Sequence, residues 1–220
     1  LAKMSSVALV GGDTTRGPLT ITVTALGAVA SGRALRRDGA QVGDHVCIAG
    51  VLGEAALGLR AVQAQRRDDP AFAHCIARLD RPEPQLALGQ ALVGIASACI
   101  DVSDGLVADL GHVAIASGVG IRLDLDAIPH PPFELGARLG LDARTIVDLA
   151  LGGGDDYLLA FTLDPAQIDE VRERVAALGL DLRDIGVVVP GAGVSLITRE
   201  GGDYVPARAG FNHFGNDDGE

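Results

Sequence analysis

The sequence predicts an α+β fold, and three observations support that prediction. From Gly43 onwards, short apolar runs typical of strands alternate with longer segments that have the apolar spacing of helices. Before that point, the segment Leu19 to Val29 alternates β-branched residues in the pattern of a strand with one buried face. Apolar residues make up 48% of the 220 residues and charged residues 21%, so the chain can bury a substantial core.

The first thirty residues predict two strands joined by a polar loop. Val7 to Val10 is a short apolar run that ends at a glycine pair, and Leu19 to Val29 provides the second strand. A strand needs a partner on both sides or a covered edge, and only two strands are predicted before the composition changes near Ser31. We therefore expect this first unit to be an incomplete sheet.

Apolar periodicity and helix start signals in the longer second unit predict an α/β or α+β body. The predicted strands are Val46 to Ala49, Ala98 to Ile100, Ile121 to Leu125, Tyr157 to Thr162, Ile185 to Val189 and Val194 to Thr198. The predicted helices are Glu54 to Gln65, Pro70 to Arg78, Pro84 to Ser97, Leu106 to Ser117, Ala143 to Leu151 and Pro165 to Leu178.

Charge and composition exclude several classes of function. Eighteen Lys and Arg residues against 29 Asp and Glu residues give a formal net charge of −11, so the mean surface field repels nucleic-acid backbones and anionic lipid headgroups. Aromatic residues make up only 3%, which leaves few platforms for stacking single-stranded bases. An anionic ligand can still bind if clustered carboxylates hold divalent cations, because the cations invert the local potential.

The cysteines and the apolar runs predict a cytoplasmic protein. Cys47, Cys75 and Cys99 are widely spaced and form no CxxC pair, which favours a reducing compartment and small core side chains over disulfides or a zinc site. No apolar stretch approaches the roughly 20 residues that cross a bilayer, and the N-terminus lacks the pattern of a secretory signal. We therefore expect a soluble, unsecreted protein that binds no membrane and no nucleic acid.

The first motif with possible chemistry is GGDTTRGP, at residues 11–18. Its glycines allow close backbone approach to a ligand, and Asp13, the two threonines and Arg16 offer a metal ligand, hydroxyls and a cation. It is not a Walker P-loop, because it has no lysine and a strand follows it. The alternative is a hairpin loop whose Asp and Thr side chains satisfy the turn.

The second motif, DVSDG at residues 101–105, lies where a predicted strand ends and a helix begins. This position is the carboxyl edge of a sheet beside a helix N-terminus. Asp101 and Asp104 repel each other unless a cation lies between them, and Mg²⁺ prefers such oxygen ligands. The alternative is that Asp104 or Ser103 simply caps the helix, although a cap explains one acid more easily than two.

The third motif, GGGDDY at residues 152–157, places three glycines after a helix and two acids at the start of a strand. A single glycine is enough to end a helix, so three glycines indicate close backbone approach to another group. The adjacent acids Asp155 and Asp156 require a cation, a hydroxyl or an amine as a partner.

Arg33, Arg36 and Arg37 lie around a predicted turn, where a solvated face is the default interpretation.

Together with RALRRDGAQVGD and with GFNHF near the C-terminus, these motifs resemble the thiamine-monophosphate kinase family in order and spacing, from about Ala8 to Phe214. The wider superfamily includes aminoimidazole ribonucleotide synthetase, selenophosphate synthetase and a hydrogenase maturation factor. The resemblance implies a dimerising N-terminal mixed-sheet domain and a layered α/β C-terminal domain. It also implies transfer of the ATP γ-phosphoryl group to thiamine monophosphate, giving thiamine diphosphate.

The resemblance also implies roles for individual residues. Asp13, Asp101 and Asp104 match catalytic magnesium ligands. Positions that contact ATP are matched by Gly12, Asp13, Arg37 and Ser103, and positions that contact the thiamine substrate are matched by Asp155 and Phe211. Two of these depart from the family pattern, because family chains usually carry Glu at the position of Asp155 and often Tyr at that of Phe211.

The largest departure is upstream, where family chains carry about a third more sequence, including further magnesium-binding aspartates. We therefore expect residues 1–30 to be the end of the N-terminal ATP-binding and dimerisation domain, and residues 31–220 to form the C-terminal domain with a polar tail. We expect a cytoplasmic, Mg²⁺-dependent kinase that is a homodimer. The alternatives are a catalytically incomplete nucleotide-binding fragment and another ATP-dependent enzyme of the superfamily.

Overall fold

The computed structural model describes residues 7–210, which divide into two compact units between Ala34 and Leu35. In the first unit, residues 7–34 contain no helix and no strand. The prediction of strands at Val7 to Val10 and Leu19 to Val29 is therefore wrong for this chain. A strand exists only when its amides and carbonyls pair with a neighbouring backbone, and no segment within 7–34 provides that pairing. The large apolar side chains of this segment are exposed.

The second unit is built on one six-stranded sheet, and its mostly antiparallel pairing makes it the α+β form of the predicted α/β or α+β body. Its strands are β1 (His45–Ala49), β2 (Ala98–Val102), β3 (Gly120–Asp124), β4 (Leu158–Leu163), β5 (Leu182–Val189) and β6 (Gly193–Ile197). They lie in the order β2-β4-β1-β5-β3-β6. All neighbouring strands are antiparallel except β3 and β6, which are parallel. The strand β2 is therefore at one edge of the sheet.

Seven α-helices accompany the sheet in residues 35–210. They are α1 (Glu54–Gln63), α2 (Ala73–Asp80), α3 (Leu86–Leu92), α4 (Leu106–Ser117), α5 (Phe133–Ala137), α6 (Ala143–Gly152) and α7 (Ile168–Ala177). Short 3₁₀ turns precede α2 and α7, and each begins with a proline after an aspartate that accepts a backbone N–H. No helix in this part of the chain has the length and apolar character that a membrane span requires.

The central strand β1 shows how the layers form. Val46 and Ile48 pack with α4 and α6 on one face, whereas Cys47 and Ala49 pack with α3 and α7 on the other. Since side chains alternate between the faces of a strand, a run of consecutive apolar residues indicates a strand covered on both sides. The helices α1, α2, α5 and α6 enclose two smaller apolar clusters beside this core.

The order of strands and helices predicted for the second unit is confirmed, with differences at element ends. The helix predicted over Leu106 to Ser117 has those bounds. The helix predicted over Pro84 to Ser97 is shorter and covers only Leu86–Leu92, and β5 begins three residues earlier than predicted. The five-residue helix α5 was not predicted, because a segment that short shows too little periodicity.

Candidate functional site

The sheet brings the DVSDG and GGGDDY motifs together. Asp101 lies on the edge strand β2, in register with Leu159 on β4. The pairing continues beyond the strand ends, because the N–H of Tyr157 donates to the carbonyl of Val102 (2.8 Å) and the N–H of Asp155 donates to that of Ser103 (2.9 Å). Two motifs about fifty residues apart in sequence therefore form one acidic edge.

The glycines of GGGDDY allow this close approach of two backbones. A Cβ atom on Gly154 would lie 2.5 Å from the carbonyl oxygen of Ser103. A Cβ atom on Gly105 would lie 2.9 Å from the Cα of Gly152. The predicted close approach is confirmed, but the groups approached differ: Gly154 lies against the DVSDG loop, whereas a Cβ on Gly152 or Gly153 would meet the carbonyl of Arg208 or Leu149.

The backbone is strained on both sides of the buried Asp156. Asp155 has φ of 67° and Tyr157 has φ of 49°, and only one other non-glycine residue between 7 and 210 has a positive φ. Such conformations are uncommon outside glycine and concentrate at functional sites. The Tyr157 hydroxyl donates to Oδ1 of Asp155 (3.3 Å). The pKa of the Tyr157 hydroxyl is raised, first by burial and then by the negative charges of Asp155, Asp101 and Asp104.

The two adjacent acids of GGGDDY have different roles. Asp155 is exposed, whereas Asp156 is only 2% exposed and accepts the N–H groups of Gly53 (2.6 Å) and Ala55 (3.3 Å) at the start of α1. Burial raises the pKa of Asp156 to about 7, although these hydrogen bonds oppose the shift. The backbone carbonyl of Asp156 also accepts a hydrogen bond from Arg78 (3.2 Å). Asp156 therefore anchors the motif, and Asp155 faces solvent.

A second buried acid, Asp109, organises the DVSDG loop. Its Oδ2 atom accepts the N–H groups of Ser103 (3.0 Å), Asp104 (3.0 Å) and Gly105 (3.2 Å). Burial raises its pKa, and these three hydrogen bonds oppose the shift. Sequence analysis missed this residue, and the signal available was an acid in the first turn of an otherwise apolar helix.

The alternative interpretation of DVSDG as a simple helix cap does not fit this geometry. The residue at the N-cap position of α4 is Gly105, which has no side chain to offer. The loop amides are bound by Asp109 from inside the helix, so neither Ser103 nor Asp104 holds the cap position. Both residues remain candidates for ligand binding at the acidic edge.

The RALRRDGAQVGD segment runs along the outer edge of β2. The N–H of Cys99 donates to the carbonyl of Arg36 (2.7 Å), and a Cβ on Gly39 would collide with the carbonyl of Ser97. Arg37 is exposed in this segment, while Arg36 pairs with Asp38. The strand that carries Asp101 therefore also positions the predicted ATP contact Arg37.

The remaining predicted site residues belong to the first unit or lie beyond the described chain. Gly12 and Asp13 are exposed in the first unit, where the N–H of Thr14 donates to Oδ1 of Asp13 (2.7 Å). This bond joins adjacent residues, so it is not the bond to the residue two positions on that closes an Asx turn. Phe211 lies outside the described residues, which end at Gly210.

The residues at the acidic edge fit magnesium chemically. Mg²⁺ is bound through one or two carboxylates and completes its shell with water and phosphate oxygens. Asp101, on β2, and Asp104, in the loop that follows it, provide two such carboxylates. Within residues 7–210 no group of three or more His, Cys, Asp or Glu side chains is placed to hold a metal ion, so a magnesium ion here would depend on further ligands such as water and phosphate oxygens.

The three cysteines belong to the core. Cys47 and Cys75 are buried and Cys99 is half-buried, and none forms a disulfide. Burial raises the pKa of the Cys47 and Cys99 thiols to about 12 and that of Cys75 to about 11. The prediction of small core side chains is confirmed, since reactive cysteines require a lowered pKa.

Comparison with known proteins identifies the family. Residues 41–199 match the family model described as AIR synthase related protein, C-terminal domain. The chain belongs to this family. Its AIR synthase-related domain therefore contains β1 to β6 and both acidic motifs, and its layered α/β fold is the one predicted from the sequence.

Relatives of this AIR synthase-related chain include named kinases. A thiamine-monophosphate kinase of Salmonella typhimurium is 38% identical over 94% of the chain, which spans 63% of that relative. The structure of thiamine-monophosphate kinase from Stenotrophomonas maltophilia is 40% identical, with a TM-score of 0.71 over 76% of this chain and 54% of the other. AaThiL complexed with AMPPCP and TMP is 32% identical, with a TM-score of 0.69 over 83% of this chain and 55% of the other.

Proposed function

We propose that this chain belongs to an enzyme that transfers the γ-phosphoryl group of ATP to thiamine monophosphate in the presence of Mg²⁺. The observation that carries the proposal is the pairing of DVSDG with GGGDDY at one edge of the sheet. The complex of the related AaThiL with AMPPCP and TMP supports the choice of substrates.

The predicted residues divide by role. Asp13, Asp101 and Asp104 would hold Mg²⁺. Residues that would contact ATP are Gly12, Asp13, Arg37 and Ser103, and residues that would contact thiamine monophosphate are Asp155 and Phe211. The antiparallel pairing of residues 101–103 with residues 155–159 supports a donor side and an acceptor side next to each other.

The loop geometry supports a dependence of the proposed chemistry on cations. Three consecutive amides at the start of a helix form an anion-binding nest, which binds phosphate in other proteins. Here the nest is filled by the carboxylate of Asp109, so the amides of Ser103, Asp104 and Gly105 are not free for phosphate. Bound Mg²⁺ supplies the positive charge that brings two phosphate anions together.

The protein's own contribution to the reaction is positioning. The acceptor is a phosphate monoester whose second pKa is near 6, so its oxygen is already ionised near pH 7 and needs no general base. The edge of β2 and β4 fixes the carboxylates and Tyr157, and the backbone conformations there are maintained by Asp109 and Asp156. Fixed groups reduce the reorganisation that in-line transfer requires.

A second candidate is a catalytically incomplete nucleotide-binding module. The chain spans 63% of the Salmonella relative, and residues 7–34 expose apolar side chains without forming a sheet. This module would bind Mg²⁺ and ATP without turnover.

A cytoplasmic homodimer built through the N-terminal part also belongs to the proposal. Sedimentation of the chain with and without upstream sequence tests the oligomeric state.

The deciding experiment is incubation of the chain with ATP, Mg²⁺ and thiamine monophosphate, with thiamine diphosphate measured by chromatography. Formation that requires Mg²⁺ and is lost in Asp101→Ala supports the kinase. Binding of Mg²⁺ and ATP without product, in a chain whose N-terminally extended form is active, supports the incomplete module. Transfer to a different acceptor in a panel of phosphate and acyl compounds would contradict the proposed substrate.

A further inference from the structure

The buried carboxylate of Asp109 destabilises the fold unless its hydrogen bonds compensate for burial. It is 3% exposed, and a buried carboxylate is unfavourable unless hydrogen bonds compensate for lost water. Its three bonds all go to the loop between β2 and α4, and all converge on one oxygen. A Ser or Asp at the N-cap position satisfies amides within the first turn of a helix, whereas the amides bound by Asp109 precede that turn.

What Asp109 provides, and a cap residue does not, is control over the whole loop. Bonds to three consecutive amides fix the backbone orientation at Ser103, Asp104 and Gly105 together. The loop is also restrained from the other side, where the carbonyl of Ser103 accepts the N–H of Asp155. The directions of the side chains at positions 103 and 104 follow from this fixed backbone.

We propose that Asp109 is a positioning residue that holds the DVSDG loop in the shape in which Asp101 and Asp104 bind magnesium. This role rests on the proposed function, because it takes the loop to be the magnesium site. Groups that orient metal ligands without touching the metal commonly change metal affinity by about 10–100-fold when they are replaced.

The test is ¹⁵N NMR of the chain, which gives amide hydrogen exchange and Mg²⁺ affinity on the same sample, with Mg²⁺ alone as the titrant. The variants are Asp109→Asn, which keeps the shape and one acceptor, and Asp109→Ala, which removes both. The control is Asp69→Asn, since Asp69 also accepts a backbone N–H (Ala71, 3.0 Å) and lies in the turn before α2.

We expect exchange at the amides of Ser103, Asp104 and Gly105 to accelerate at least about tenfold in Asp109→Ala, and the Mg²⁺ dissociation constant to rise by about 10–100-fold. Asp109→Asn should give smaller changes of the same kind, and Asp69→Asn should leave both quantities within about twofold. Melting curves recorded for every variant identify the temperature range in which each is folded.

Two outcomes overturn the proposal and differ from failure of the proposed function. If the loop amides exchange faster but Mg²⁺ affinity is unchanged, Asp109 is structural only. If Mg²⁺ affinity falls while loop exchange is unchanged, its charge acts through space and it does not position the loop. If the unsubstituted chain and Asp104→Asn respond identically to Mg²⁺, the magnesium site itself is wrong.

Discussion

At the scale of single residues, the acids of this protein fall into two groups that composition does not distinguish. Asp101 and Asp155 are exposed at the edge formed by β2 and β4. Asp109 and Asp156 are buried and bind backbone amides. The exposed acids are available for ligands, and the buried acids fix the loops that carry them.

Replacing Asp101 is expected to change magnesium-dependent turnover without lowering the free energy of unfolding. We expect Asp101→Ala to abolish magnesium-dependent turnover, because it removes a metal ligand. Its free energy of unfolding without Mg²⁺ should stay within about 0.5 kcal/mol or rise, since the carboxylate is exposed at an acidic edge. The measurements are product formation and chemical denaturation, with the exposed Asp169→Ala on α7 as the control. Full activity of Asp101→Ala would refute the assignment.

Replacing Asp155 tests the departure from the family pattern. We expect Asp155→Glu to preserve or lower the KM for thiamine monophosphate, because the resemblance to thiamine-monophosphate kinases implies Glu at this position. The free energy of unfolding should fall by about 0.5–1 kcal/mol, since Asp tolerates the positive φ of 67° better than Glu. A large rise in the KM for thiamine monophosphate, with the KM for ATP unchanged, would show that residue 155 does not contact the acceptor as the matching residue of the family does.

The buried Asp156 predicts a pH dependence of stability. Its folded pKa of about 7 lies above the ordinary value of 3.8, so the folded state binds the proton more tightly. The contribution of the protonated Asp156 carboxyl to the free energy of unfolding is complete below about pH 4. It is lost as the pH rises through 7. We expect the stability advantage of the unsubstituted protein over Asp156→Asn to shrink by about 3 kcal/mol between these limits. Denaturation midpoints across this range test it, and a constant difference would contradict the burial-driven shift.

At the scale of elements, the site exists because β2 and β4 pair beyond their ends. The DVSDG loop follows β2, and GGGDDY runs into β4. The last residue of α6 and the next two residues are glycines, and a Cβ on any of them would lie 2.3–2.5 Å from a backbone carbonyl oxygen. The C-terminal part reaches the same place, because a Cβ on Gly210 would lie 2.9 Å from the carbonyl oxygen of Asp104.

Two glycine substitutions with opposite expected effects test this packing. In Gly154→Ala the new Cβ lies 2.5 Å from the Ser103 carbonyl oxygen, so the two motifs must separate. We expect a loss of about 1–3 kcal/mol in the free energy of unfolding, together with weaker Mg²⁺ binding. Gly111→Ala, in α4, meets no atom within 4 Å and should gain about 0.5–1 kcal/mol. Equal stability of the two variants in denaturation would show that the motifs tolerate separation.

At the scale of the whole molecule, the two units differ in what supports them. Residues 35–210 bury apolar side chains on both faces of the sheet. Residues 7–34 have exposed apolar residues such as Leu19, Ile21 and Val23, and no hydrogen-bonded strand. Their alternation fits a strand, but a partner backbone is required before that pattern can form one.

This difference predicts the order of proteolysis. We expect limited trypsin digestion to cut after Arg16 and Arg33 before any position within residues 41–199, because segments without regular backbone pairing are cleaved first. Mass spectrometry of the early fragments identifies the cuts. The trimmed second unit should unfold at the midpoint of the intact chain, and an initial cut inside residues 41–199 would contradict the division into units.

The sequence by itself determined the α/β layering, the helix α4 with its bounds, and the family to which the chain belongs. It also selected Asp101, Asp104 and Asp155, since glycine-rich turns and paired acids are local patterns. Only the tertiary structure decided that two motifs far apart in sequence share one edge of the sheet. It also decided that the buried carboxylates of Asp109 and Asp156 hold the adjoining backbone by hydrogen bonds. The physical reason is that periodicity records which face of an element is buried, whereas burial of a single acid and pairing of distant backbones depend on the neighbours that folding supplies.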